Sequence, residues 1–393
     1  MQTPTRLRLL VLPALALAFQ VPPALAVNGA QPGGYGVKNA AMGGTSIALP
    51  LDAVAAANNP AGLGALPTSA TVDLQVFRGQ SSAGYVLPGN QLHNEQTEPA
   101  PEGGFSWRKD ETWAFGLSVA GSGVGSDYGQ RALPVPGADS AKTQLMVLEL
   151  VPAAAWTPQP GLTLGLGLNL ALQRFDTQGV IVPAPVPGGL LPVPGHGAQT
   201  SSGLGLRAGL LWQATPDWRL GLSLKSRTRM SRLDGYDQDL LAYSHGHLDV
   251  PAQFGVGAAW QAHPRLTLAA DALRIQWGDI QAMQDPKGFA WHNQTVLRLG
   301  AAWQLDDGWT LRAGASHNSG QIDSSRTVQN LLVPSINRHA FTLGASWQVD
   351  AHNEINLGYE LNPRTTLAGS GPSAGTDLTS KVQMLLLGVH HRF

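Results

Sequence analysis

The sequence predicts an all-β fold, a transmembrane antiparallel β-barrel of about fourteen strands. Three observations lead there. Charged residues make up only 13% of the 393 residues, about half the share of a typical soluble domain. Apolar residues recur at every second position through most of the chain, the period of a strand with one apolar face. The connections between these segments are alternately short and long, as in a barrel with turns on one side of a membrane and loops on the other.

Composition removes several other classes. The chain is 43% hydrophobic with a mean hydropathy of −0.05, too polar for a bundle of membrane helices. A formal charge of −1 gives no basic footprint, so no nucleic-acid partner is expected. The absence of Cys removes disulfides, iron–sulfur clusters and thiolate zinc sites. The 47 Gly and 28 Pro stay below low-complexity content.

Residues 1–26 read as an address. Arg6 and Arg8 precede an apolar stretch from Leu9 to Phe19, and Ala24-Leu25-Ala26 supplies a small-x-small cleavage site. This is the pattern of a secretory signal peptide cleaved near Ala26. The apolar stretch is too short to span a bilayer, which takes roughly 20 residues. Residues 27–69 are rich in Ala, Gly and Asn and show little alternation.

Residues 70–393 carry the barrel pattern. Leu162, Leu164, Leu166, Leu168, Leu170 and Leu172 alternate with small or polar neighbours. Trp113, Phe115, Leu117 and Val119 do the same, as do Leu297, Leu299, Ala301 and Trp303. Fourteen segments are centred near residues 75, 105, 116, 150, 168, 207, 222, 256, 270, 299, 313, 343, 357 and 387. Short turns fall at Arg108 to Glu111, Thr157 to Gly161, Ala214 to Asp217, Gln261 to Arg265, Leu305 to Gly308 and Asp350 to His352. Most hold Pro, Gly or Asp, the usual turn chemistry. Longer links separate them, so both termini lie on the short-turn side. The final Phe393 ends an alternating strand and resembles the assembly signal of bacterial outer-membrane barrels, which implies the barrel-assembly machinery as a partner. Trp113, Trp156, Trp212, Trp218, Trp260, Trp277, Trp291, Trp303, Trp309 and Trp347 fall mostly near strand ends, where girdles at the two membrane interfaces are expected.

Asn59-Pro60-Ala61-Gly62 within the N-terminal segment resembles a motif of the FadL/TodX family of outer-membrane transporters for hydrophobic compounds. Residues 251–260, 266–271, 297–303, 309–315 and 338–346 resemble that family's central and later strand pairs. The resemblance implies an N-terminal hatch over residues 27–69 that plugs the barrel and carries Asn59, Pro60, Ala61 and Gly62. It implies uptake of hydrophobic small molecules, long-chain fatty acids by family default, with a lateral exit at a kink in the third strand. Gly121, Ser122 and Gly123 follow that strand's apolar run; they form either this opening or an ordinary flexible external loop. Val180, Ile181, Val182, Leu190 and Leu191 form an apolar external stretch, either a docking surface or a flap over the barrel mouth. Arg298 and Arg312 lie on inward phases, either to meet a substrate carboxylate or to line the lumen.

The protein is expected to be a monomer set in outer-membrane lipid and lipopolysaccharide, with no cofactor, no metal and no catalytic residues. A general diffusion porin is one alternative, although porins favour charged lumens and lack such a hatch. An outer-membrane lipid-acting enzyme is another. His245, His247 and Asp249 lie together and His390-His391 end the chain, but none has a catalytic context or an evident third metal ligand.

Overall fold

The computed structural model describes residues 29–85, 89–183 and 190–393. The expected signal peptide and its cleavage near Ala26 lie outside them, as do the first two residues of the 27–69 segment.

Fourteen long strands follow in order. The first five are β1 (Ser69–Gly84), β2 (Gln91–Arg108), β3 (Trp113–Asp127), β4 (Lys142–Gln159) and β5 (Leu162–Gln178). Next come β6 (Gln199–Gln213), β7 (Trp218–Lys225), β8 (Gln253–His263) and β9 (Leu266–Ile275). The last are β10 (Gln294–Gln304), β11 (Trp309–Asn318), β12 (His339–Gln348), β13 (Asn353–Leu367) and β14 (Asp377–Arg392). Each bonds antiparallel to its sequence neighbours, and β14 returns to β1 from Ser69↔Arg392 to Gly84↔Asp377. The result is a closed 14-stranded barrel. Closure leaves neither the first nor the last strand with a free edge in lipid, where an unbonded backbone group is costly. The two-residue strand Arg229–Met230 adds to β6.

All fourteen expected centres fall inside strands. Their outward phase carries Leu166, Leu204, Leu299 and Leu343 exposed, while the inward phase is small, polar or charged and buried. Lipid is the solvent for one face, so the usual inside–outside pattern is reversed. β2 extends much further than its alternation suggests. Its outer half sets Asn94, Glu98 and Glu102 inward against Glu95, Thr97, Pro99 and Pro101, so both phases are polar or ring-constrained and apolar periodicity vanishes.

One expectation needs correction. The tryptophans form a girdle at one rim, not two. Trp107, Trp113, Trp156, Trp212, Trp218, Trp260, Trp303, Trp309 and Trp347 all point outward beside the short turns. Three cross-strand pairs stack there: Trp113–Trp156, Trp218–Trp260 and Trp309–Trp347. Trp277 and Trp291 are instead buried among the long loops, edge to face with ring centroids 5.0 Å apart. They belong to an apolar core at the long-loop end. That core joins Val124, Leu145 and Phe175 of the upper barrel to Leu233, Ile280 and Leu331 of the loops.

Candidate functional site: the filled lumen and a seam in the wall

The lower lumen is occupied by the chain that precedes β1. Residues 29–66 are almost entirely buried and contain two short helices, α1 (Val37–Ala40) and α2 (Ala55–Asn58), and a 3-10 turn over Pro60–Ala65. Asn59 and Pro60 start this turn for a simple reason. Asn59 Oδ1 accepts from Ala61 N at 3.1 Å, an N-cap, and Pro60 takes the first helical position, where an N–H is not needed. Asn59 Nδ2 donates to Ile47 O at 2.7 Å and to Leu210 O of β6 at 3.2 Å, which ties the turn to the wall. Inward glycines make room: a methyl group at Gly165 would collide with Ala61 N, and one at Gly209 with Asn59 Oδ1.

Charged side chains hold the rest from all sides of the barrel. Asp73 of β1 accepts from Val37 N at 2.9 Å and Glu102 of β2 from Gly36 N at 2.9 Å. Asp271 of β9 accepts from Ser46 N at 2.7 Å and Ile47 N at 3.1 Å. Lys38 pairs with Glu354 of β13 at 3.0 Å. Burial pushes the Asp52 carboxyl above the usual carboxylate range, with the nearby Lys38 ammonium opposing it. On β4, Glu149 binds Arg207 and Lys225, each at 2.5 Å, and Arg207 also donates to Ala57 O. These anchors were not singled out in the sequence. Their signal was there, as charges on the inward phase of otherwise apolar-alternating strands.

Glu149→Gln is expected to loosen this end of the segment, because two buried cations lose their carboxylate. Breaking such a pair costs about 3–5 kcal/mol. Amide hydrogen exchange should quicken over residues 55–65 and not in the strands; unchanged exchange would mean the triad does not anchor the segment.

The wall has a break beside this segment. β2 and β3 bond only from Gly103↔Val119 to Arg108↔Ala114. Above that, β3 stays bonded to β4 up to Asp127↔Lys142, and β2 to β1 up to Gly84↔Gln91. The two strands meet again at the long-loop end, where Asp127 N donates to Asn94 Oδ1 at 3.0 Å. The gap between, eight residue steps on β3 from Val119 to Asp127, is about 26 Å long at roughly 3.3 Å per residue. Pro99 and Pro101 remove two N–H groups from the same edge of β2, and proline in a sheet is at home on an edge. Gly121, Gly123 and Gly125 take the outward phase of β3, where β5 carries leucines, and nothing lies within 4 Å of where a Gly121 side chain would start. Ser122 Oγ and Gln96 Oε1 are buried without a partner in this stretch. Inside, Ala120 packs on Tyr35, Val54 and Ala57, and Val124 enters the apolar core above.

The other expected residues sort differently. Val182, Leu190 and Leu191 lie exposed on a small hairpin, Ile181–Pro183 with Leu190–Pro192, beside Val180, while Ile181 packs onto the apolar core. Arg298 donates to Gly44 O at 3.0 Å and has its Nε unpartnered. It lines a cavity of about 40 Å³ together with Arg207, Lys225, Tyr35 and Ser46. Arg312 does not line it and donates to Ser346. His247 Nδ1 is engaged by Met230 O at 2.8 Å, and among the described residues no group of three metal-ligating side chains comes together.

A closed transmembrane barrel with a folded segment in its lumen and a gap in its wall defines an outer-membrane channel protein. The sequence profile of the family described as outer membrane protein transport protein (OMPP1/FadL/TodX) matches residues 15–389. The chain belongs to this family, whose members are transport proteins and not enzymes. Outer membrane protein P1 of Haemophilus influenzae is 21% identical over 259 residues, a match that spans 56% of each chain. The toluene transporter TodX of Pseudomonas putida superposes with a TM-score of 0.72 at 20% identity, covering 92% of this chain and 99% of that one. A FadL homologue of Pseudomonas aeruginosa gives 0.70 at 19% identity, covering 95% and 100%. The Ralstonia pickettii toluene transporter TbuX gives 0.67 at 20%, covering 92% and 99%.

Proposed function

We propose that the protein takes up hydrophobic compounds across the outer membrane, with long-chain fatty acids as its first substrate class and aromatic hydrocarbons as its second. The observation that carries this reading is the β2–β3 gap, which breaks the wall where Ala120 and Val124 pack on apolar residues of the interior. An apolar molecule gains about 0.8 kcal/mol for each CH₂ kept out of water, so a side exit into lipid suits it better than a wet channel. The exposed hairpin with Val180, Ile181, Val182, Leu190 and Leu191 would gather substrate outside. Residues 27–69, with Asn59, Pro60, Ala61 and Gly62 at their base, would act as the hatch that blocks ions. Gly121, Ser122 and Gly123 would border the lateral exit. In its working place the barrel would stand as a monomer among lipid and lipopolysaccharide, delivered there by a signal peptide and by assembly machinery that reads Phe393.

For an acidic substrate the proposed contact is Arg298. Its small cavity fits a carboxylate group but no alkyl chain, and two further cations line it. Arg312 is the weaker candidate, since its hydroxyl partner Ser346 and the hatch enclose it. Mass spectrometry of apolar molecules that copurify from membranes tests the substrate class. Fatty acids should dominate, and Arg298→Gln should lower their retention relative to the matching alcohols by about tenfold, the worth of a charge-assisted hydrogen bond. Equal retention of acids and alcohols by the unaltered protein would point to hydrocarbons; no apolar ligand at all would sink the reading.

A further inference from the structure

The two rims of the barrel differ in a way that transport does not explain. The short-turn rim presents nine outward tryptophans, while the outward face at the long-loop rim presents none among the described residues. Along β11 and β12, eight residues above the girdle, the outward positions opposite Trp309 and Trp347 are His317 and His339. Eight residues span about 26 Å along a strand, or about 20 Å along the membrane normal at a tilt near 40°, which is most of the ~25 Å height of an apolar band. These histidines therefore stand at the outer edge of the hydrocarbon.

They are not alone. The rings of His317 and His339 lie 4.7 Å apart with their Nδ1 atoms at 3.3 Å. If both are neutral, the accepting ring carries its proton on Nε2. Arg274, two strands away on β9, uses Nη1 to reach Thr295 Oγ1 at 2.8 Å. None of the three has a carboxylate within ion-pair distance among the described residues, whereas Arg78 pairs with Glu95 at 2.5 Å and Lys142 with Asp176 at 3.4 Å at the same rim. Directly below the trio, Leu297, Leu299, Phe341 and Leu343 are each more than half exposed to the lipid side.

We infer that the outward face of β9–β12 is a binding site for a phosphorylated glycolipid of the outer leaflet. Its phosphates meet Arg274, His317 and His339, and its acyl chains lie over the leucines and phenylalanine beneath. Charge complementarity selects this occupant. A neutral headgroup has no use for an unpaired guanidinium at the membrane edge, while a phosphate takes its free N–H groups directly. A metal ion on the histidine pair lacks a third protein ligand among the described residues. The site depends on the outer-membrane placement and not on the substrate, so it stands or falls separately from the uptake reading.

The test uses the full mature protein in detergent and measures binding of a bis-phosphorylated acylated disaccharide lipid and of the same lipid without phosphates. The phosphorylated lipid should bind about tenfold or more tightly. The triple variant Arg274→Ala, His317→Ala, His339→Ala should lose that preference while its barrel keeps heat-modifiable gel mobility. His317→Gln with His339→Gln is the gentler substitute should the triple variant misfold, and it should lose part of the preference. Arg78→Ala, which removes a cation already paired, should change it by less than about twofold. Equal binding of the two lipids, an unchanged preference in the variants, or binding of zinc or inorganic phosphate alone at these residues would overturn the inference.

Discussion

Deleting residues 27–49 is expected to turn the protein into a steadily conducting pore. The deletion removes α1, Lys38 and the backbone groups that Asp73, Glu102 and Asp271 hold. Those carboxylates would then face water in an open lumen, where they need no protein partner. The wall itself should survive, because its strand ladders and lipid-facing band make no use of the removed segment. In planar bilayers the altered protein should show a wide, stable conductance where the native one shows almost none, with its heat resistance retained. Equal conductance would dismiss the hatch role and favour a simple diffusion porin.

Locking the wall should have the second large effect. Continuing the β2–β3 register past Gly103 opposite Val119 sets Pro101 opposite Gly121. The chain has no cysteine, so Pro101→Cys with Gly121→Cys supplies the only two thiols. Bridged, they draw the strands to a Cα separation of about 5.5 Å and narrow the gap. Uptake of a labelled fatty acid by cells should fall by about tenfold or more and return on adding reductant; a tenfold change corresponds to about 1.4 kcal/mol in the barrier. Uptake that ignores the redox state of a bond verified by mass would show that substrate leaves by another path.

Much of the barrel was legible because lipid imposes a simple rule on every second residue. Leu162 to Leu172 could hardly be anything else, and the turns at 214–217 and 305–308 sit between observed strands. The upper part of β2 was hidden for the same reason: with no lipid-facing leucines, Glu95 to Glu102 carried no period to read. Gly121 to Gly123 lie on a strand that borders the gap, but a gap is a relation between two strands. Only the register shows that β3 lets go of β2 and keeps β4. The two prolines of β2 were the better clue, since they must sit on an edge that can do without N–H groups. Asn59 and Pro60 were readable as a turn from local chemistry alone. Arg298 and Arg312 shared an inward phase, and alternation cannot tell a side chain beside a cavity from one packed against the wall. The tryptophan girdle was misassigned to two interfaces, although eight of the ten singled-out residues already flanked short turns.

The contacts of the lumen segment also impose an order on biogenesis. Its partners include Asp73 and Glu102 near the start of the barrel and Thr342 and Glu354 near its end. The same stretch of chain leads straight into β1, the strand that must wait for β14. The polypeptide therefore cannot complete the contacts of its lumen segment until its last quarter has been made. A truncated chain would carry Lys38 without the carboxylate of Glu354, and the ring would still lack its closing ladder. Filling of the lumen and closure of the wall are thus completed by the same final residues.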